Sequence, residues 1–238
     1  MGLFDKKFCD ICGDKIGLLG NRKLEDGNMC KNCAALLSPF MTERRRTTVA
    51  DVKDHLDYRE ANKEQVAAFN VTRTLGDKTK VLLDEDARKF VVTSSNRWQA
   101  ENPDVMEYSQ VTGCSIDIQE SKTELKTKDR EGKEVSYVPP RYKFEYDLNI
   151  IININSPWFS EIKFQVNRNK MERNSVDYRE SERQANEIKR ALTQVRQETR
   201  QTAAVVNKPK VAQTCPHCGA TTMPDANGCC EFCGGVIR

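Results

Sequence analysis

Eight of the ten cysteines in this 238-residue chain fall into two C-x2-C…C-x2-C sets. Cys9, Cys12, Cys30 and Cys33 form the first set, and Cys215, Cys218, Cys230 and Cys233 the second. Each set offers four thiolates in two close pairs. A tetrahedral cation that prefers soft ligands takes that donor set, and zinc is the default ion. Iron in a rubredoxin-like site uses the same thiolates and is the rival metal. A thioredoxin-like redox role is disfavoured, because no βαβ pattern surrounds any pair. Cys229 could replace Cys230 only by losing the two-residue spacing, so the spacing selects Cys230 and Cys233. His217 lies inside its knuckle as a turn residue.

The elements that must position the first set are short. Cys9-Asp10-Ile11-Cys12-Gly13 reads as a zinc knuckle, with Gly13 supplying conformational freedom just after the turn. Ile16 to Leu19 and Arg22 to Leu24 read as strands, punctuated by Gly20-Asn21 and Asp26-Gly27. Cys30-Lys31-Asn32-Cys33 runs into Ala34-Ala35-Leu36-Leu37, a helix ended before Pro39. Knuckle, hairpin and ligand-bearing helix make a treble-clef-like module over residues 1–42. So small a module buries too little apolar surface to fold alone, and zinc supplies roughly 10–16 kcal/mol of apparent binding free energy to such folds.

Met1-Gly2-Leu3-Phe4-Asp5-Lys6-Lys7-Phe8-Cys9-Asp10-Ile11-Cys12-Gly13, with Ile16-Gly17 and Arg22-Lys23-Leu24-Glu25-Asp26-Gly27, resembles an uncharacterised bacterial family. That family is known by an N-terminal four-cysteine domain of unknown function. The likeness covers about the first 45 residues. It implies a bacterial or phage source and a zinc site, and it carries no activity with it.

Residues 43–70 read as a basic joint and a helix. Arg44, Arg45 and Arg46 are candidate phosphate contacts, or a solvated connection. Thr48 and Asp51 fit a capping box. Val49, Val52 and Leu56 then share one face of a helix running to about Phe69, with Arg59 and Lys63 opposite. His55 reads as a surface or edge residue.

Residues 71–201 switch to strand periodicity. Lys80–Leu83 and Lys89–Thr93 flank an acidic turn, and Met106–Val111 and Cys114–Gln119 read as further strands. Lys122–Glu134 reads as a solvated hairpin tip. Tyr142–Asn155 alternates over a long span, and Trp158–Val166 is its partner. Ala185, Ile188, Leu192 and Val195 stripe a helix over about Asp177–Gln201. Trp98, Trp158 and Cys114 read as packing residues. About seven antiparallel strands closed by one helix resemble the bacterial pleckstrin-homology-like (PH-like) domains. That resemblance implies an antiparallel barrel used for binding or oligomerisation. The acidic first hairpin argues against phosphoinositide, since phosphates need converging cations.

Residues 202–213 read as a flexible linker, and 214–238 as a zinc ribbon. The fold class is therefore α+β: a treble-clef-like zinc module, a PH-like barrel with a C-terminal helix, and a C-terminal zinc ribbon.

Bulk properties narrow the function. A net charge of +3, a pI near 8.3 and 31% charged residues give less basic excess than a dedicated nucleic-acid binder shows. The mean hydropathy of −0.68 and the lack of a long apolar run argue against a membrane span. Met1–Lys7 lacks a signal-peptide core, so the expected location is cytoplasmic. The chain carries no H-E-x-x-H, Walker loop or G-x-S-x-G, and only two histidines. The expectation is a non-enzymatic adaptor or scaffold with two structural zinc ions and protein partners. The alternative is a nucleic-acid-binding regulatory zinc protein.

Overall fold

The computed structural model describes residues 7–42, 44–206, 212–223 and 229–236. The opening residues 1–6, which belong to the family-like start, and residues 207–211 of the expected linker lie outside the described residues. The chain divides into two compact units, Met1–Arg196 and Gln197–Arg238.

The first unit opens with two hairpins of two-residue strands. β1 (Lys7–Phe8) pairs with β2 (Lys15–Ile16), and β3 (Arg22–Lys23) with β4 (Asn28–Met29). Helix α1 (Lys31–Leu36) follows. Strands this short need a core to hold them. Leu24, Met29, Leu37 and Met41 provide it together with Cys9, Cys30 and Cys33. The strand expected over Ile16–Leu19 stops at Ile16, because the Gly20 N–H donates to the Gly17 carbonyl (3.0 Å) and closes a turn.

Helix α2 (Val49–Ala68) starts at a capping box: the Thr48 hydroxyl accepts from Asp51 N–H, and the Asp51 carboxylate accepts from Thr48 N–H. Asp26 Oδ1 accepts from Val49 N–H at 2.8 Å. Val49, Val52 and Leu56 pack into the N-terminal core. The buried stripe is Val52, His55, Arg59, Asn62 and Val66. This corrects two expectations. His55 is 0% exposed rather than a surface residue, and Arg59 is buried rather than on the outer face with Lys63. The physical reason is a row of polar partners facing α2.

Seven strands follow in two antiparallel sheets. The first runs β5 (Arg73–Leu75), β6 (Lys80–Asp84), β7 (Lys89–Thr93) and β8 (Val105–Glu107), with the short helix α3 (Trp98–Glu101) before β8. β6 and β7 are covered on both faces. Val81, Leu83 and Phe90 enter the main core, while Leu82 and Val91 pack with Val66, Phe69 and Trp98. The strand expected over Met106–Val111 ends at Glu107. Tyr108–Gln110 forms a 3-10 turn in which Glu107 and Gln110 cap each other.

The second sheet is β9 (Val111–Lys128), β10 (Glu134–Ile154) and β11 (Glu161–Gln165), in the order β11-β10-β9. Lys122–Glu134 is not a tip: the strands continue through these charges to a turn at Asp129–Lys133. A ribbon wet on both faces needs no apolar alternation. β11 begins at Glu161, and Trp158 sits in the preceding loop, edge-on to His55 with centroids 4.9 Å apart. The core face of β10 is Tyr146, Leu148, Ile150, Ile152 and Ile154. Helix α4 (Val176–Val206) lays Ala185, Ile188, Leu192 and Val195 into that same core and runs past Gln201. The two sheets pair within themselves, and no closed barrel is formed among the described residues.

The second unit holds one hairpin, β12 (Gln213–Thr214) with β13 (Thr221–Thr222), and a bridge between Cys229 and Val236.

Candidate metal centres

Each four-cysteine set is brought together by two knuckle turns, or by one turn and a helix start. In the first set, Cys9 N–H donates to Asp14 O and Gly13 N–H returns to Cys9 O, each at 2.8 Å. Gly13 closes this turn at φ +78°, a conformation that costs glycine nothing. Cys30 is the N-cap of α1, its Sγ accepting from Cys33 N–H at 3.4 Å. Cys30 N–H in turn donates to Cys9 Sγ at 3.2 Å. One sulfur therefore starts the helix while facing the other three.

The Sγ atoms of Cys9 and Cys33 lie 3.8 Å apart, as do those of Cys12 and Cys30. In the second set Cys215 and Cys233 are 3.6 Å apart, and Cys218 and Cys230 3.7 Å. All four sulfurs of each set lie within 4.8 Å of one another. Zinc–sulfur bonds of about 2.3 Å at tetrahedral angles require sulfur separations of about 3.8 Å. Both sets could each hold a metal ion such as zinc. The second is built like the first: Cys215 N–H donates to Ala220 O, Gly219 N–H to Cys215 O, and Gly234 N–H to Cys230 O.

Electrostatics fit a shared cation. Burial raises the Cys9 thiol, but the N–H groups of Cys12, Cys30 and Ile11 outweigh it and lower it to about 6. Burial first, then the neighbouring thiols, push Cys33 far upward. Cys215 repeats the Cys9 pattern. Burial raises it, the N–H groups of Cys218 and His217 prevail, and it falls to about 6. At Cys233 the Gly235 N–H lowers the thiol, yet Cys218 and Cys215, with burial, carry it up to about 12. Each set thus welcomes one thiolate and resists four, and a divalent cation removes the resistance. Four thiolates fill a tetrahedral ion and leave no position for a reacting water.

Beside the first centre the turn between β2 and β3 projects Leu18 and Leu19, 97% and 91% exposed. The turn is fastened from behind. Arg22 Nη1 donates to the carbonyls of Leu19 (3.3 Å) and Asn21 (3.2 Å), and Asn21 Nδ2 to Asn28 Oδ1 (2.9 Å). Together with Lys15, Cys30 and Lys31 the turn lines a cavity of about 590 Å³.

Arg44–Arg46 forms a 3-10 turn, tied to the module by the Glu25 N–H donating to Thr47 O (3.0 Å). Arg45 and Arg46 are exposed, while the Arg44 side chain lies outside the described residues. Cys114 packs against the main core, and burial lifts its thiol to about 11.

Sequence reasoning missed the polar group under α2. Arg59 Nη1 pairs with Asp104 Oδ1 (2.9 Å), and Ser38 Oγ donates to Asp104 Oδ2 (2.7 Å). His55 Nε2 accepts from Ser38 N–H (3.0 Å). Asn62 donates to Asn102 Oδ1 and Pro103 O, both at 2.8 Å. The signal was available as spacing: positions 52, 55, 59, 62 and 66 keep an unbroken three-four rhythm.

Residues 7–55 match a family model described as a domain of unknown function, DUF4428. The match ends inside α2, where Val49 and Val52 complete the N-terminal core. No curated protein matches the chain, and no solved structure does. Among the described residues no helix is long and apolar enough to cross a membrane.

Proposed function

We propose that the chain is a non-enzymatic cytoplasmic adaptor. In this reading a treble-clef-like zinc module (1–42), a basic joint and helix (43–70), a PH-like body (71–201), a linker (202–213) and a zinc ribbon (214–238) present surfaces to protein partners. Two structural zinc ions, on Cys9, Cys12, Cys30 and Cys33 and on Cys215, Cys218, Cys230 and Cys233, stabilise the ends.

One observation carries this reading. Leu18 and Leu19 stand almost fully exposed on a turn whose carbonyls are held by Arg22. Two adjacent exposed leucines on a fastened turn cost solubility and have no packing role among the described residues. They suit an apolar recess on another protein, and holding them still beforehand reduces the ordering cost of binding.

The test is capture of the native-locus protein after nuclease treatment, wild type against Leu18→Ser/Leu19→Ser. A defined protein retained by the wild type and lost by the variant, with both zinc ions still present, supports the adaptor. An unchanged set of captured proteins sinks it.

The second reading, nucleic-acid binding, rests on the exposed Arg45 and Arg46 beside the metal module. It requires binding that weakens steeply with salt and a shallower salt slope after Arg44, Arg45 and Arg46 are changed to alanine.

A further inference from the structure

Among the described residues strand β9 ends its sheet: β10 is its one strand partner. Beyond the bridge of Met171 to Tyr146 the two strands form a ribbon with no third strand among the described residues, because β11 pairs only with Asn149–Asn153. The two edges of this ribbon are unlike. On β10 the pairing breaks between Ser136 and Arg141, where four residues bulge out. Two of them, Pro139 and Pro140, have no N–H to donate. β9 has no proline, and past the bulge at Thr112 it runs from Gly113 to Lys128 with no further insertion. Its outer row of N–H and C=O groups is the kind that recruits another strand unless something opposes it.

Charge is the usual opposition, but here the charges alternate. Glu120, Lys122, Glu124 and Lys126 occupy one face of β9, the face where Tyr146, Phe144 and Tyr142 lie opposite on β10. An alternating row is complementary to itself when reversed. Two copies related by a two-fold axis normal to the sheet must oppose residues of the same face. With Thr123 on the axis, Glu120 meets Lys126 and Lys122 meets Glu124, each pair occurring twice. Moving the axis to Lys122 sets Lys122 against itself and Glu120 against Glu124. Moving it to Glu124 sets Glu124 against itself and Lys122 against Lys126. On the other face the Thr123 register joins Thr123 to Thr123, Ser121 to Leu125 and Gln119 to Thr127, with no charge. Opposite charges and paired threonines are the cross-strand neighbours that stabilise antiparallel pairs.

Glu120 accepts from the Tyr146 hydroxyl through Oε2 (2.7 Å), which leaves Oε1 for a partner lysine, and Ser121 Oγ accepts from Lys170 Nζ (2.9 Å). Glu124 and Lys126 make no ion pair among the described residues. Lys122 Nζ rests 3.8 Å from the centre of the Tyr142 ring and stays on the correct face. Tyr142 and Phe144, each 42% exposed, continue the buried stripe of β10 outward beside the edge.

We propose that β9 is a homodimerisation edge. Two copies of this chain pair their β9 strands antiparallel with Thr123 on the two-fold axis, and their sheets join into one. The occupant is a second copy rather than a foreign strand, because the Thr123 register pairs all four charges of the row with their own reverse and both adjacent registers repel.

Sedimentation equilibrium of the full zinc-loaded chain tests it. The expected species has twice the 27.2 kDa chain mass. Lys122→Glu and Glu124→Lys each place like charges opposite one another and weaken association by about tenfold or more. The double variant Lys122→Glu/Glu124→Lys restores both pairs with their signs exchanged and returns the dimer. That recovery also shows that the single variants failed by repulsion rather than by misfolding. A wild-type chain that stays monomeric at all accessible concentrations overturns the proposal. So do single variants that associate like wild type, or a double variant that fails to recover.

Discussion

Arg59 Nη1 lies 2.9 Å from Asp104 Oδ1, a pairing that fastens α2 to the chain entering β8. Arg59 Nε also donates to the Leu36 carbonyl (3.2 Å), and Ser38 Oγ donates to the other Asp104 oxygen. One guanidinium and one carboxylate thus hold the end of α1, the middle of α2 and the start of β8 together. Burial pushes the Asp104 carboxyl upward, and Arg59 and Ser38 only partly offset it. Removing one partner leaves the other charged and dry, at a cost of about 3–5 kcal/mol. Arg59→Met should show that loss in urea denaturation of the zinc-loaded chain. Arg59→Met combined with Asp104→Leu should cost less than the two single changes added together. Additive losses would show that the two residues are not coupled.

His55 makes stability depend on pH. Burial first, then the Arg59 charge, lower its imidazole from 6.5 to about 4. The unfolded chain binds a proton at His55 below pH 6.5, whereas the folded chain does so only near pH 4. The contribution is complete above pH 6.5 and is lost as pH falls from there towards 4, by about 3 kcal/mol at most. Urea melts followed by fluorescence of Trp158, whose ring abuts His55, should show this fall in wild type. His55→Gln should show a shallower one. Parallel pH profiles would remove His55 from the account. The difference between the two proteins matters here, because acid also protonates the metal-ready thiols.

The metal assignments predict stoichiometry. Purified wild type should carry two zinc ions, Cys30→Ser one, Cys230→Ser one and Cys229→Ser two, as measured by elemental analysis. Chelation should unravel the small core around Leu24 and Met29, which shares its residues with Cys9, Cys30 and Cys33. A wild-type chain that kept iron, or Cys229→Ser losing an ion, would overturn the assignment.

Much of this was legible from residue types, and the exceptions share a cause. The cysteine spacing pointed to both clusters, and the Thr48–Asp51 cap marked the start of α2. The alternation over Tyr142–Asn155 and the stripe Ala185, Ile188, Leu192, Val195 located the main core. Each of those signals is local and apolar, or chemically unmistakable. Arg59 and His55 were misjudged, and Asn62 was passed over, because polarity normally marks an outer face, and their partners lie far along the chain at Ser38, Asn102 and Asp104. The β9–β10 ribbon was cut short for the opposite reason. Strand pairing between wet, charged segments such as Lys122–Lys128 leaves no hydrophobic period to read. Closure of a barrel depends on how two sheets meet, which no strand encodes by itself.

Gly27 should be intolerant of a side chain. A Cβ there would lie 2.6 Å from Val49 Cγ2 and 2.8 Å from Asp10 Oδ2. Asp10 is already committed, since it accepts from Asn28 N–H at 2.6 Å. Gly27→Ala should therefore destabilise the module by about 1–3 kcal/mol through overpacking, read as a lower chelator concentration for unfolding. Gly132, with open space around it, should cost less when changed, although its φ of +82° still imposes some strain.

Strand β10 belongs to the core and to the two-stranded ribbon at once. Leu148, Ile150 and Ile152 are fully buried, so sliding the strand by one residue would turn all three towards water. Up to Arg141 the ribbon's alignment is thereby set from its root, and only the pairs of Glu134–Ser136, beyond the bulge, are aligned by the turn. Asp129–Lys133 has only to close the hairpin, through Asp129 and its bonds to Glu131, Gly132 and Lys133. It is the natural point at which to splice a fluorescent reporter or an affinity epitope into the chain, and one at which length can drift without disturbing the body.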